Sequence, residues 1–194
     1  MESRILFTVL VALVATERLY ELWLSRRNAE LALASGGQES GASHYRVMQG
    51  LHAAFLLAAV GEVWWLDRPF YLALAVPMLA LLVGTMVLRY WSVITMQERW
   101  NTRVIVVPGW QPASTGPYRW LRHPNYLAVV IEVAVLPLVH TAWVTALVFT
   151  AANFALLTVR LRVEERALAA WGGYAAAMAA KPRFVVFPAL RSRR

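Results

Sequence analysis

Residues 70–94 read F-Y-L-A-L-A-V-P-M-L-A-L-L-V-G-T-M-V-L-R-Y-W-S-V-I. A helix rises 1.5 Å per residue, so about 20 apolar residues cross the hydrocarbon core of a bilayer. This run is long enough, and Pro77 predicts a kink of the kind membrane helices tolerate. Working outward, four more apolar segments lie at 5–24, 47–66, 126–139 and 141–159. The last two form a tight hairpin around His140, with a short first arm. Segment 5–24 is too long for a signal-peptide core and has no small-residue cleavage site before Trp23. The pattern predicts an all-α fold over residues 1–194. It is a single domain, an integral membrane bundle of about five transmembrane helices, with a cytoplasmic C-terminal segment at 160–194.

Composition points the same way. Hydrophobic residues make up 59% of the chain and the mean hydropathy is +0.50, above the range of soluble domains. The absence of cysteine excludes disulfides, thiolate catalysis and Cys-ligated metals. His44, His52, His123 and His140 lack the H-E-x-x-H spacing of zinc hydrolases, so no metal site is expected. The net charge of +8 would suggest nucleic acid in a soluble chain, but membrane topology accounts for it. With the N-terminus outside, five spans put segments 25–46, 95–125 and 160–194 in the cytoplasm. These hold most of the Lys and Arg, from Arg26 and Arg27 to Arg193 and Arg194, whereas the outer segments hold Arg4 and Arg68. That is a positive-inside bias. The basic tail suits anionic headgroups, and the Ser/Gly-rich stretch 35–41 predicts a flexible loop.

Two polar clusters stand out against this background. Residues 116–126 read G-P-Y-R-W-L-R-H-P-N-Y. Gly116-Pro117 signals a turn, and Pro124 suits a first helical turn. Arg122 and His123 then sit at a helix N-terminus, where free N–H groups attract anions. The bland alternative makes them interfacial anchors, with Tyr118, Trp120 and Tyr126 as an aromatic belt. The second cluster, 160–168, reads R-L-R-V-E-E-R-A-L. Arg160 and Glu164 share a helix face. Adjacent acids there suit hydroxyls or a cation, the alternative being a salt-bridge ladder worth about 0.3–0.5 kcal/mol per exposed pair.

Ionisable groups inside spans are costly and therefore candidate site residues. Glu132 lies within the fourth span and Glu62 within the second, the latter near the outer interface. Glu17 and Glu21 lie toward the inner end of the first, where Arg18 is a local partner for Glu21. Asn153 in the fifth span is a candidate hydrogen-bond partner for Glu132. His44 is interfacial and His52 lies deeper in the second span. The tract 97–102 closes the third span, either lining a cytoplasmic pocket or ending at the headgroups.

The pairing of R-H-P-x-Y with a later E-E-x-x-L resembles the isoprenylcysteine carboxyl methyltransferase family of integral membrane enzymes, over roughly the C-terminal half. The resemblance implies a helix bundle with a cytoplasmic S-adenosylmethionine pocket and a lateral tunnel for substrate. It implies cofactor contacts from Trp110, Gln111, Pro112, Ala113, Tyr118, His123, Pro124, Asn125 and Tyr126, and from Glu164 or Glu165. Arg160 is implied in holding substrate. Ala128 replaces a frequent glycine and Ala177 departs from a late Y-x-x-Y, whereas Pro182-Arg183-Phe184 and Pro188 keep the usual ending.

The sequence at 100–103 and 123–132 is similar to a bacterial branch that methylates alkylpyrones and alkylresorcinols made by type III polyketide synthases. The expectations are a lipophilic small-molecule substrate, membrane lipids as surroundings, a functional link to such a synthase and a bacterial cytoplasmic membrane. An isoprenylcysteine-like carboxylate is the other acceptor. A carboxylate needs an arginine, Arg160, whereas a phenol benefits from a base, Glu132 or His123, with Asn153 also near substrate. No G-x-G-x-x-G follows a strand, which counts against a Rossmann-type methyltransferase. A membrane reductase of the sterol-reductase kind and a non-catalytic scaffold or transporter are the competing readings.

Overall fold

A computed structural model describes residues 1–170, 174, 178 and 181–184. Five helices account for most of it: α1 (Glu2–Ala34), α2 (Ala42–Trp65), α3 (Leu72–Met96), α4 (Pro124–Leu138) and α5 (Trp143–Ala170). Two three-residue strands, β1 (Gln38–Ser40) and β2 (Val104–Val106), pair antiparallel with Glu39 opposite Ile105. The expected all-α fold is therefore mainly helical with a small ladder. The ladder occupies part of the stretch read as a flexible loop. Its physical source is the β-branched run Val104-Ile105-Val106, pinned by the ion pair of Arg103 with Glu39.

Among the described residues, three helices are long and apolar enough to cross a membrane: α2 from His44 to Trp65, α3 with its 3-10 extension from Leu72 to Arg99, and α5. With α5 at 28 residues, its length of about 42 Å exceeds the hydrocarbon core of about 30 Å. Helix α1 is longer, at 33 residues, but carries Glu17, Arg18 and Glu21 in its middle. Helix α4 has 15 residues, with Pro124 at its first turn and Pro137 near its end.

The helices form a ring, α1 against α2, α2 against α5, α5 against α4 and α4 against α3. On α1 the buried residues Phe7, Val11, Val14, Glu21, Ser25, Asn28 and Ala32 follow a spacing of three and four, one stripe of a helix. The stripe changes character along its length. Phe7, Val11 and Val14 join Phe55, Ala59, Val63 and Leu136 in an apolar core. Glu21, Ser25 and Asn28 instead meet polar partners.

Those partners explain the intramembrane acids. Arg89 of α3 donates to Glu132 at 2.6 Å and to Glu21 at 3.3 Å. Arg18 donates to Glu21 at 2.6 Å, pairs with Glu17 and lies 3.5 Å from Glu132. These bonds close the ring between α1 and α3. Glu132 therefore faces arginines, and the partnership with Asn153 is not formed. Glu62 accepts from the backbone N–H of Val144 at 3.1 Å and Thr145 at 2.6 Å, supplying the first turn of α5 with acceptors it lacks. Arg68 binds the same carboxylate at 2.7 Å. His140 is buried between the rings of Phe7 and Phe70, 3.2 Å from Ser3 Oγ. Outward, Leu13, Leu57, Val87, Leu147 and Phe154 are exposed, as a lipid-facing surface requires.

Candidate active site

The chain between α3 and α4 is fastened before it reaches the site. Asn28 donates to the carbonyls of Gln97 at 3.2 Å and Trp100 at 2.8 Å. Ser25 Oγ lies 2.9 Å from Asn101 Oδ1 and 2.7 Å from Thr102 Oγ1. Trp100 is thereby held in the interior, 2% exposed. The turn at Gly116 follows, with φ +52°, and a Cβ there would lie 2.3 Å from Thr95 Oγ1. Only glycine allows this turn to press against α3. It delivers Tyr118, whose hydroxyl donates to Met96 Sδ at 2.9 Å. Burial pushes the Tyr118 phenol up, so it remains a donor.

At the start of α4, His123 stacks on Tyr126 with ring centroids 5.4 Å apart. The Tyr126 hydroxyl donates to Glu164 and accepts from Arg160 Nε at 2.7 Å. Arg160 also lies over the Tyr126 ring, 5.6 Å from its centroid. Arg160 and Glu164 are thus joined through a phenol rather than by the direct ladder their spacing allowed. Glu165 points elsewhere. It accepts from Arg183 at 2.5 and 2.9 Å and lies 3.2 Å from His123 Nε2. The backbone N–H groups of Arg122 and His123 donate to the carbonyls of Pro182 and Arg183 at 3.0 and 3.3 Å, which docks the late segment on the cluster.

Two cavities result. The smaller, about 140 Å³, lies among the loops and includes Pro112, Ala113, Tyr118, His123 and Glu164 in its wall. The larger, about 430 Å³, lies inside the helix ring and is lined by apolar residues such as Leu19, Leu22, Leu56 and Leu157 with Asn153 and Arg160. Trp100, Asn101, Asn125 and Tyr126 line both. The Asn125 Oδ1 atom at this shared wall is buried and has no hydrogen-bond partner.

Residues 78–170 match the model of the isoprenylcysteine carboxyl methyltransferase (ICMT) family. An uncharacterized protein, YpbQ, of Bacillus subtilis (strain 168) is 34% identical over 166 residues, covering 84% of this chain and 96% of that one. The chain belongs to the ICMT family. An uncharacterized protein of Haemophilus influenzae is similar at 27% identity over 158 residues, 81% of this chain and 91% of its own. The matched region runs from within α3 to the end of α5 and contains all four residues shared by the two cavities, Trp100, Asn101, Asn125 and Tyr126. An ICMT-family chain with three helices able to span is an integral membrane protein of a methyltransferase family.

The expected site residues fall into separate places. Pro112, Ala113, Tyr118, His123, Asn125, Tyr126 and Glu164 line the smaller cavity. Trp110 and Gln111 line an adjoining surface depression, which shares Met96 and Arg99 with it. Pro124 is buried in the first turn of α4, and Glu165 stands behind His123. Asn153 and Arg160 line the larger cavity, and Glu132 lies below it in its ion pairs. Arg99, Tyr174 and Met178 also border the smaller cavity, and Tyr45, Gln49 and Arg89 the larger. Arg89 was open to detection as an arginine inside an apolar run, the signal that drew attention to Glu132. Tyr174 and Met178 carry no such signal. Pro188 and the basic tail fall outside the described residues.

Proposed function

We propose that the protein is an S-adenosylmethionine-dependent O-methyltransferase acting on a lipophilic acceptor within the membrane. The shared wall carries this reading: a loop-built polar cavity and a helix-lined apolar cavity meet at Trp100, Asn101, Asn125 and Tyr126. Methyl transfer is an in-line displacement, and alignment with exclusion of water is most of what it asks of a protein.

The residues around the smaller cavity fit the donor. The unpartnered Asn125 Oδ1 and the Glu164 carboxylate suit its amine and hydroxyls. Arg99 suits its carboxylate, and Tyr118 with Met178 an aromatic face. S-adenosylmethionine, when bound, supplies an electrophilic methyl group. Arg160 and Asn153 orient the acceptor's oxygen from the other side, and Tyr126 links the two sets through its bonds to Arg160 and Glu164.

The acceptor is an alkylpyrone- or alkylresorcinol-type polyketide, supplied by a type III polyketide synthase, or an isoprenylcysteine-like carboxylate. Helices α1 and α4 complete five passes, with the N-terminus outside a bacterial cytoplasmic membrane and the C-terminus in the cytoplasm. The arginine distribution supports this orientation. The test is calorimetric titration of S-adenosylmethionine into the detergent-purified protein, with Glu164→Ala and His123→Ala alongside. Binding by the wild type and its loss in both variants is expected. No binding by a folded wild type overturns the reading.

A further inference from the structure

Along α2, residues Tyr45, Met48, Gln49, His52, Ala53 and Leu56 all line the larger cavity, one face at helical spacing. The face runs from polar to apolar, and His52 sits at the change. Its Nδ1 lies 2.9 Å from the carbonyl of Met48. A carbonyl only accepts, so Nδ1 carries the proton and Nε2 of the neutral ring is left as an acceptor.

The other candidate bases are committed. The Glu132 and Glu21 carboxylates are bound by Arg89 and Arg18. His123 is engaged with Glu165 and stacked on Tyr126. His140 sits at the opposite end of the bundle, against Ser3. The charged groups facing the same cavity are Arg18 and Glu21 from α1, Arg89 from α3 and Arg160 from α5, with Glu132 of α4 behind Arg89. Among the described residues lining this cavity, His52 is the neutral nitrogen base.

We propose that His52 is the general base of the transfer, for an acceptor that arrives as a neutral hydroxyl, a phenol or an enol. This rests on the methyltransferase reading above. The acceptor's O–H bond breaks and its proton passes to His52 Nε2 while the oxygen bonds to the methyl carbon. The carbon–sulfur bond breaks with its electron pair kept by sulfur. The positive charge of the sulfonium is thus replaced by that of the imidazolium, and the total is unchanged. The arginines around the cavity stabilise the oxygen as its charge develops. A carboxylate acceptor is already ionised and makes no use of His52, so this residue sorts acceptors by class.

The experiment uses the full chain in detergent, with a long-chain alkylresorcinol and a fatty carboxylate of matched length as probes. S-adenosylmethionine affinity and single-turnover rates are measured against pH for wild type, His52→Gln and His52→Ala. The variants are expected to bind S-adenosylmethionine like wild type and to lose about 10²–10⁴-fold in turnover of the alkylresorcinol. Their residual rate is expected to climb toward the phenol's own ionisation near about pH 10, where the wild type has already levelled off. Added imidazole is expected to restore part of the rate of His52→Ala. Turnover of the alkylresorcinol by His52→Gln within a factor of a few of wild type overturns the assignment. So does a wild type that methylates only the carboxylate. Failure of the wild type to bind S-adenosylmethionine instead removes the methyltransferase reading on which it stands.

Discussion

Removing Arg89 tests whether ion pairs close the helix ring. Arg89 is 3% exposed and binds Glu132, itself 3% exposed, at 2.6 Å and Glu21 at 3.3 Å. Arg89→Met keeps much of the volume and deletes the charge. Glu132 is left with Arg18 at 3.5 Å, a cation already shared with Glu17 and Glu21. Deleting one member of a buried pair costs about 3–5 kcal/mol, and the remaining Arg18 contact places this case near about 3 kcal/mol. For a chain of this size the Tm then falls by about 6–12 °C. Thermal unfolding in detergent is the assay, with Glu132→Leu and the double variant completing a cycle. Replacing both members by apolar groups is close to neutral, so the double variant should recover more than half of the loss. A shift of less than about 1 °C for Arg89→Met would falsify the argument, because it lies far below the loss expected when a buried pair is broken. Strict additivity of the two single effects would refute the pairing itself.

Three further outcomes follow from the same geometry. Glu62→Ala removes the acceptors at the start of α5 and should cost about 2 kcal/mol in the same unfolding assay, the upper range for a lost cap; an unchanged Tm counts against that role. Gly116→Ala forces a side chain into a left-handed turn against Thr95, so stability should fall by about 1–3 kcal/mol and S-adenosylmethionine affinity with it; a variant with wild-type affinity means that the turn does not set the Tyr118 position. Tyr126→Phe removes the hydroxyl between Arg160 and Glu164, and turnover should fall at least about tenfold, a loss of about 1.4 kcal/mol, with the fold retained. Wild-type turnover would show that the two residues act independently.

How much was visible in the sequence depends on how local each signal was. The five helices were legible because apolar runs of this length have few alternatives. Their ends were less so. The expected first span stops at 24, but α1 continues to Ala34, with Ser25 and Asn28 buried against the connection that follows α3. The β1–β2 ladder joins Glu39 to Ile105 across the intervening helices, which no short window contains. The acid pair shows the same limit. Glu164 and Glu165 are neighbours in sequence, yet successive helical residues point about 100° apart. Only the placement of Tyr126 and Arg183 assigns Glu164 to the cavity and Glu165 to the late segment. Glu132 was recognised as costly, but its partners come from α1 and α3, so the sequence suggested Asn153 instead.

The shortness of α4 has a physical consequence for where the two cavities meet. Its C-terminal end is aligned with the loop between α2 and α3, since Thr141 Oγ1 donates to the carbonyl of Pro69 at 2.5 Å. With 15 residues, α4 extends about 22 Å, about 8 Å less than the thickness of a hydrocarbon core of about 30 Å. Asn125 and Tyr126 lie in its first turn, where Tyr126 meets Arg160, and α5 runs on past Arg160 to Ala170. The backbone just before this turn is covered, since Arg122 and His123 donate to the carbonyls of Pro182 and Arg183 and Trp100 is buried beside it, the condition under which irregular chain is tolerated in an apolar layer. On the proposed methyltransferase reading, a donor held among the loops and an acceptor held in the helix ring meet at Asn125 and Tyr126, and only the acceptor's reactive oxygen has to approach that wall.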